Sequence, residues 1–402
     1  MKKETASITP YFPKSWPAEF QGENLMRFKV FLPLAMPTLL SAFTAHWNFF
    51  DKACLNWYTD FDEFNIEVNK GLEFWGEKIS IFYEFNFGSY PYYRNYDENE
   101  PINGGHPQLC NLTAYLEVVK LNITKRIKDE NFAGLAVIDF EHWRPLFDEN
   151  GYQKMQVYQN VSIKIATEKY PHFTHDQIKE EAKKEYNEAA KGQYFSIVRK
   201  REFFLKTIEE ARILRPNGKW GFYGFPYCDY DAGTSKKPSC TKTYQDWNNR
   251  MMFLFEASDA LYPSIYLENK NTPEERSKYV KAILEEALRI ANMFSPPLPI
   301  YAYTKIEYDS RTKIGNFYNA EDLCSTIKQP ADIGVDGIIF WGSSNNIKQR
   351  CPFIEKEMDG TVGPCITSQS YVVDPADYKC DCDYGYSGDD CSKKDETITS
   401  SK

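Results

Sequence analysis

The chain has 402 residues, a formal net charge of −9 and 16% aromatic residues, which indicates a folded protein rather than a disordered one. This acidic balance argues against general nucleic-acid binding, because a protein that binds a phosphate backbone needs a basic face. Ten cysteines and acceptor sequences for N-glycans at Asn111, Asn122 and Asn160 indicate a disulfide-bonded glycoprotein that is secreted, or lumenal as in a lysosome.

An apolar stretch near the start of the chain has two interpretations. Residues 26–45 begin with basic residues, continue with apolar ones and end with small ones, as a cleaved signal peptide does. Alternatively, residues 43–47 belong to the first core strand. We therefore separate residues 1–45, an N-terminal extension or signal-like segment, from a main domain at 46–350. No other stretch reaches the roughly 20 apolar residues that a membrane span needs.

Strands and helices alternate along the main domain. Runs rich in β-branched and aromatic residues predict strands. These runs are residues 43–48, 78–85, 134–140, 219–225, 261–266, 299–306 and 335–341. A capping-box pattern at residues 174–177 starts a long helix that ends before Pro216, and residues 272–294 predict another helix.

This alternation predicts an α/β fold with a parallel sheet, either a closed TIM-like (β/α) barrel of about seven strands or a doubly wound sheet. The barrel is favoured, because no glycine-rich phosphate loop follows any predicted strand.

The segment after residue 350 differs in composition. Residues 351–392 hold five of the ten cysteines, and their end is similar to the closing half of an EGF-like module. Modules of this size rely on disulfides because they lack a large core. We predict a truncated EGF-like disulfide module at 351–392 and a disordered tail at 393–402.

Two carboxylates follow the apolar run Gly134–Ile138. Successive side chains on a strand point to opposite faces, so Asp139 and Glu141 share one face and Phe140 lies on the other. At the carboxyl end of a parallel barrel strand both acids would face the site. Neighbouring carboxyls do not readily ionise together, so one keeps its proton and serves as an acid, as glycosidases require. The alternative is a pair of strand-end charges neutralised by Arg144 and other basic residues.

The spacing of the two acids indicates a particular mechanism. Side chains two residues apart on a strand are closer than the catalytic carboxyls of ordinary retaining or inverting glycosidases. The spacing suits substrate-assisted catalysis, in which the 2-acetamido oxygen of the sugar attacks the anomeric carbon. One acid then protonates the leaving oxygen while the other orients the acetamido group, so the sugar at the cleaved bond is an N-acetylhexosamine.

Four motifs, in this order, resemble the hyaluronidase family of glycoside hydrolases, and they lean towards its invertebrate venom-type branch. They are GLAVIDFEHWRP, LRPNGKWGFYGFPYC, LYPSIY and IIFWGSSNN. The resemblance covers roughly residues 45–355 and implies a distorted (β/α) barrel with seven strands. It implies Glu141 as the proton donor, with Asp139 and Tyr223 holding the acetamido group.

The resemblance also implies substrate-binding residues around these three. They are Tyr83, Tyr266 and Trp341 in the pocket, with Tyr303, Asp309 and Ser343 near the groove. An acidic polymer requires cations, for which Arg144, Lys305 and Lys219 are the candidates.

Disulfide pairs are implied by the same resemblance. They are Cys54–Cys351, Cys228–Cys240, Cys365–Cys380 and Cys382–Cys391. Cys110 and Cys324 have no counterpart in the family, and either bond each other or do not.

The sequence therefore predicts an endo-acting hydrolase that cuts β-1,4 bonds after N-acetylhexosamine in hyaluronan, chondroitin or both. A catalytically inactive glycosaminoglycan-binding protein is the alternative. The five histidines lack metal-ligand spacing on a helix, so neither a metal nor a cofactor is expected. The expected partner is the polymer alone, and the expected state is a monomer.

Overall fold

The computed structural model describes residues 43–49, 54, 60–191, 203–309, 313–363, 366, 386–387 and 393–394. The strands are β1 (Thr44–Asn48), β2 (Ile66–Glu67), β3 (Ile79–Tyr83), β4 (Tyr92–Tyr93), β5 (Pro101–Ile102), β6 (Leu135–Asp139), β7 (Lys219–Phe222), β8 (Tyr301–Thr304), β9 (Gly337–Trp341), β10 (Tyr386–Ser387) and β11 (Lys393–Lys394). The α-helices are α1 (Leu112–Arg126), α2 (Gln156–Lys169), α3 (His175–Lys191), α4 (Phe203–Leu214), α5 (Lys242–Arg250), α6 (Met252–Ala257), α7 (Pro273–Ala291), α8 (Ala320–Leu323), α9 (Gln329–Ile333) and α10 (Ile347–Glu357). None of these helices is long and apolar enough to span a bilayer.

Seven of the described strands form two parallel sheets, which confirms the predicted α/β class, and β4 and β5 form a separate antiparallel pair. One sheet has the order β2-β1-β9-β8 and the other has the order β3-β6-β7. Isolated parallel bridges connect them through residues 261–264, since Tyr262 pairs with Tyr223 and Ser264 pairs with Tyr303. Parallel pairing thus runs from β3 to β2, but across the described residues it does not close into a ring, as a complete barrel would require.

The predicted strand at 261–266 forms only these bridges, and its sequence explains why. Pro263 has no backbone N–H and cannot donate to a continuous ladder. Its carbonyl still accepts from the Tyr303 N–H at 2.8 Å, and the Ile265 N–H donates to the Tyr303 carbonyl at 2.9 Å. The segment therefore stays beside β8 without forming a regular strand.

Two capping boxes begin helices where the sequence predicts them. The Thr174 N–H donates to the Gln177 side chain at 2.9 Å and the Gln177 N–H donates to the Thr174 hydroxyl at 3.4 Å, ahead of α3. Thr272 and Glu275 form the same reciprocal pair at the start of α7. The long helix predicted from residue 174 is described as α3 and α4, with residues 192–202 outside the described part.

Side chains alternate between two hydrophobic clusters along each central strand, and this alternation determines what reaches the site. On β6, Ala136 and Ile138 belong to the outer cluster between strands and helices, whereas Val137 belongs to an inner cluster with Ile81 and Ile339. Because the side chains of a strand have a period of two, the residue that follows Ile138 faces inward again. The inner cluster therefore leads to the candidate site at the carboxyl ends of the strands.

Both disulfides that fall within the described residues match the resemblance. Cys54 bonds Cys351 with a Cα–Cα distance of 5.4 Å, and Cys228 bonds Cys240 with a Cα–Cα distance of 5.2 Å. The first ties the start of the domain to α10, which crosses the predicted boundary at residue 351.

Cys110 and Cys324 do not bond each other. The cysteines predicted to hold the EGF-like module lie outside the described residues; they are Cys365, Cys380, Cys382 and Cys391.

Strand pairing is found beyond the range 46–350 at both of its ends. Strand β1 begins at Thr44 and pairs with β9, which agrees with the interpretation of residues 43–47 as core strand. Near the other end, β10 pairs antiparallel with β11, whose two residues lie in the predicted tail, and the rest of that tail lies outside the described residues.

A buried ion pair between Arg350 and Glu307 fixes the position of the loop that follows β9. The Arg350 and Glu307 side chains are 0% and 4% exposed, and Arg350 Nη1 also donates to the Asn345 carbonyl at 3.0 Å. We expect Glu307→Ala to lower the free energy of unfolding by about 3–5 kcal/mol, because it leaves a buried guanidinium without its counter-ion. Chemical denaturation measures the change. Glu274→Ala, whose partner Lys278 is exposed, is the control, and an equal loss in both variants would contradict this expectation.

Candidate active site

Asp139 ends β6 with its side chain on the inner side of the sheet. It pairs in register with Tyr83 at the end of β3, so the two side chains meet at the carboxyl edge. The carboxyl is only 5% exposed, and its Oδ1 has no hydrogen-bond partner among the described residues. Burial, reinforced by the nearby carboxylates of Glu141 and Glu84, raises the pKa of Asp139 well above its usual range. Within the pair, burial therefore favours the protonated form of Asp139, the acid that the sequence analysis assigns to the acetamido group rather than to proton donation.

Glu141 lies two residues further on and is exposed, in contrast to Asp139. The intervening Phe140 is buried in the outer cluster, as the alternation predicts. Arg144 lies within electrostatic range of Glu141, and its guanidinium donates to the Tyr227 hydroxyl and stacks 4.4 Å from that ring's centroid. A solvent-accessible carboxyl and a buried one thus stand side by side, with a fixed cation behind them.

Glu84 is a third carboxyl in this cluster, and the sequence analysis missed it. It directly follows Tyr83, is 8% exposed and accepts from the backbone N–H of Glu141. Burial raises the pKa of Glu84 to about 7, and the charge of Glu141 adds to the rise. The pattern that could have identified Glu84 is an acid directly after an apolar strand, which is the pattern that identified Asp139.

Removing the Glu84 charge should move the pH profile. Above about pH 7 Glu84 is ionised, and its charge contributes to the raised pKa of the nearby Asp139. Glu84→Gln keeps an acceptor for the Glu141 N–H but removes this charge. Because loss of that charge lowers the pKa of Asp139, we expect the limb of the kcat/KM profile that follows Asp139 ionisation to shift to lower pH by roughly half to one unit. The exposed Glu117→Gln is the control, and an unchanged limb in Glu84→Gln would rule out the coupling.

Tyrosines form the floor of the site. The Tyr223 hydroxyl donates to Ser264 Oγ at 3.1 Å, and its ring meets the Tyr303 ring edge to face at 5.2 Å between centroids. Burial raises the pKa of Tyr223 well above its usual range, so its hydroxyl stays protonated. Tyr303 is fully buried, so it supports Tyr223 from below and does not line the open groove.

One wall of the site joins the ends of β3 and β9. Trp341 Nε1 donates to the Tyr83 hydroxyl at 2.7 Å, and the Trp341 ring stacks on Tyr266 with 6.0 Å between centroids. Lys305 Nζ lies 4.0 Å from the Tyr266 centroid and 5.1 Å from the Trp341 centroid. Two aromatic rings and a cation therefore face the same space.

A pocket of about 320 Å³ continues from this wall. It is lined by Lys305, Glu307, Tyr308, Asp309, Trp341, Gly342, Ser343 and Asn345. The candidates Asp309 and Ser343 thus lie together beside Trp341. Lys219 does not join them, because it begins β7 at the opposite, amino end of the strands, where its Nζ donates to the Tyr301 hydroxyl at 2.7 Å.

The structure brings together paired carboxyls, aromatic walls and cations in an open site, which is the equipment of a carbohydrate-processing hydrolase. Comparison with known proteins agrees. The family model for hyaluronidase, glycoside hydrolase family 56, matches residues 35–396. The chain belongs to this hyaluronidase family.

Relatives within the family include a chondroitin hydrolase of Caenorhabditis elegans, 34% identical over 315 residues, which are 77% of this chain and 66% of the relative. A hyaluronidase of Vespa magnifica is 32% identical over 338 residues, which are 82% of this chain and 90% of the relative. The chain therefore spans just under two thirds of the first relative's length.

Among solved structures, bee venom hyaluronidase in complex with a hyaluronic acid tetramer matches with a TM-score of 0.72 and 30% identity. The match covers 81% of this chain and 98% of the bee protein. The α/β fold of the chain is thus that of a known hyaluronidase.

Proposed function

We propose that this protein is an endo-acting glycoside hydrolase that cleaves β-1,4 bonds after N-acetylhexosamine in hyaluronan, chondroitin or both. The observation that carries the proposal is the pair at the end of β6. Asp139 is buried with an unpartnered Oδ1, and Glu141 is exposed beside it. An acceptor that no described residue satisfies suits the N–H of an acetamido group, and an exposed carboxyl suits proton transfer to a leaving oxygen.

In the first step of the proposed mechanism, the acetamido carbonyl oxygen attacks the anomeric carbon and the bond to the leaving oxygen breaks. Glu141 gives its proton to that oxygen. Positive charge then develops on the acetamido group as it closes into an oxazolinium ring. Asp139 releases its proton to solvent before the attack and then accepts a hydrogen bond from the acetamido N–H, and the developing charge favours this ionised form of the carboxyl.

In the second step, water attacks the anomeric carbon from the side that the leaving group has vacated. The Glu141 carboxylate takes a proton from that water, and the bond between the anomeric carbon and the acetamido oxygen breaks. Two inversions give net retention at the anomeric centre. Neither step needs a covalent bond to the protein.

The tyrosines hold the reacting group in this mechanism. When substrate is bound, the Tyr223 hydroxyl turns its proton from Ser264 Oγ to the acetamido oxygen and orients that oxygen towards the anomeric carbon, while the Ser264 hydroxyl donates to Tyr223 in return. Trp341 and Tyr83, joined by a 2.7 Å hydrogen bond, form a rigid wall against the sugar face.

The substrate groove extends from this wall along the pocket that Lys305, Asp309 and Ser343 line. Lys305 and Arg144 supply positive charge on an otherwise acidic protein, so uronate carboxylates bind there. An open groove with cations along it accepts internal segments of a long chain, which is the basis for endo action.

We further infer that the fold is a distorted barrel, closed between β2 and β3 by a side chain instead of strand pairing. Asn69 follows β2, and its Oδ1 accepts from the backbone N–H groups of Lys78 and Ile79 at 2.9 and 3.0 Å. Its Nδ2 donates to the Ile79 carbonyl at 2.8 Å. The proposal also includes a monomeric, secreted or lysosomal glycoprotein, in which Asn111 presents an exposed acceptor side chain.

Release of reducing ends tests the function. Hyaluronan and unsulfated chondroitin are incubated in parallel with the protein from pH 3.5 to 7.5, and a falling viscosity at low reducing-end release distinguishes endo from exo action. We expect cleavage of at least one polymer, and the ratio of the two rates identifies the preferred one. Binding of either polymer without cleavage would overturn the proposal in favour of an inactive glycosaminoglycan-binding protein.

A further inference from the structure

A second aromatic surface lies next to the catalytic acids, and the proposed mechanism does not use it. Phe85 packs edge to face on Tyr92 and on His142, with 4.7 and 5.5 Å between ring centroids. His142 in turn lies 5.1 Å from Tyr92 and 4.2 Å from Tyr96. We call these four residues the aromatic shelf.

Two residues of the aromatic shelf are direct sequence neighbours of acids in the catalytic cluster. Phe85 directly follows Glu84, and His142 directly follows Glu141. The pKa of Tyr96 is raised by burial and by the charge of Glu84, which places its hydroxyl within electrostatic range of the same carboxyls. The shelf therefore borders the acids at the ends of β3 and β6, whereas Trp341 and Lys305 border them from the ends of β9 and β8.

The surface of the shelf is apolar, open and uncharged. The Phe85 ring is 54% exposed although it belongs to a packed cluster, and Tyr92 and Tyr96 are half-buried. Burial lowers the pKa of His142 to about 4, with Lys154 contributing, so the imidazole is neutral above that pH. Exposed aromatic faces of this kind are what a sugar ring stacks on, through its C–H groups.

A cation stands at the edge of the shelf. Lys154 Nζ lies 4.4 Å from the centroid of the Tyr96 ring, and both residues line an open groove of about 790 Å³. Within the described part of the chain Lys154 makes no ion pair, whereas Lys164 in the same groove is paired with Glu98 at 2.5 Å. Lys154 thus has its charge available to an incoming carboxylate or sulfate.

We propose that the aromatic shelf and Lys154 form a second saccharide-binding subsite, which holds the polymer on the side of Glu141 away from Trp341. Phe85 and Tyr96 stack on a hexosamine ring, and Lys154 binds the carboxylate of the neighbouring uronate. The inference rests on the proposed function, because it assigns the ligand as a further disaccharide of the same acidic polymer. With a subsite on each side of the acid, the enzyme holds both halves of the chain that it cuts.

Binding measured as a function of chain length tests the subsite without turnover. Phe85→Ala and Lys154→Gln are each combined with Glu141→Gln, and binding of hyaluronan and chondroitin oligosaccharides of four to twelve sugars is measured by calorimetry. We expect each change to weaken the binding of the longest oligosaccharides by about five- to tenfold, as loss of one stacked ring or one ion contact implies. The tetrasaccharide, which is too short to span both subsites, should lose clearly less.

The controls reproduce the same contacts away from the site. Phe173 stacks on Tyr170 at 4.9 Å, and Lys169 Nζ lies 5.1 Å from the Tyr170 centroid. Phe173→Ala and Lys169→Gln should leave binding unchanged at every length, and thermal unfolding checks that all variants are folded. Equal losses for short and long oligosaccharides, or no loss for either, would overturn the subsite. Absence of cleavage by the unmodified protein would instead overturn the proposed function, while this binding assay would still decide the subsite.

Discussion

Replacing Glu141 with glutamine is expected to lower kcat/KM on the polymer by about 10²- to 10⁴-fold, the range typical of a lost general acid. The amide cannot give its proton to the leaving oxygen, whereas the exposed position tolerates a side chain of the same size. Reducing-end release measures the loss, and calorimetry measures binding of an oligosaccharide to the same variant.

The kcat and the oligosaccharide affinity of Glu141→Gln together separate an effect on the chemical step from an effect on binding. We expect kcat to fall while the affinity for the oligosaccharide changes little, because the acid acts mainly in the transition state. The exposed Glu117→Gln serves as a matched control and should retain full activity. A Glu141→Gln variant that still cleaves at more than a tenth of the original rate would show that another group is the acid.

Asp139→Asn is expected to have the second-largest effect, with a loss in kcat of about 10²- to 10³-fold. The amide fills the same space, but it cannot carry the negative charge that stabilises an oxazolinium ion. Loss of activity should be accompanied by a gain in stability, because burial raises the pKa of Asp139 in the folded state. A carboxyl with a raised pKa stabilises the fold below its unfolded pKa of about 3.8, and this contribution is lost as the pH rises.

The stability of Asp139→Asn relative to the original protein should therefore increase as the pH rises above about 3.8. Chemical denaturation at several pH values, alongside kcat, tests both halves of the prediction. Asp259→Asn is the control, since Asp259 is partly buried at the amino end of the strands and also has a pKa raised by burial. Retained activity in Asp139→Asn would contradict the assignment of this residue to the acetamido group.

Much of the candidate site could be predicted because its information is local. The two-residue period of β6 predicted that Asp139 and Glu141 lie on the inner side, and the burial of Phe140 in the outer cluster agrees with that prediction. Capping boxes at Thr174 and Thr272 depend on contacts within four residues, which is why the starts of α3 and α7 were also predicted correctly.

The features that were not predicted depend mainly on contacts between residues that are far apart in the sequence. The burial and raised pKa of Glu84 come from the approach of β6 to β3, which no spacing within the run IFYEF encodes. The position of Lys219 away from the site could have been predicted, since a residue that begins a parallel strand lies at the edge opposite the site. Residues 261–264 form only isolated bridges because Pro263 lacks an N–H. The proline is visible in the sequence, but the prediction of a strand there relied on the apolar run alone.

The aromatic shelf was missed for a different reason. Phe85, Tyr92, Tyr96 and His142 come from two separate stretches of the chain, and each alone resembles ordinary core or surface aromatics. Only the pairing of β3 with β6 brings the two stretches together. Sites assembled from neighbouring parallel strands are therefore hard to see in one sequence, even where each strand is predicted correctly.

The central claim is that the acetamido group of the substrate is the nucleophile. The most direct test compares cleavage of a hyaluronan oligosaccharide with cleavage of the same oligosaccharide after N-deacetylation at the reacting hexosamine. We predict that the deacetylated substrate still binds but is cleaved at least 10³-fold more slowly, because an amine lacks the attacking carbonyl oxygen. Comparable rates on both substrates would contradict the account and would require a nucleophile from the protein or direct attack by water.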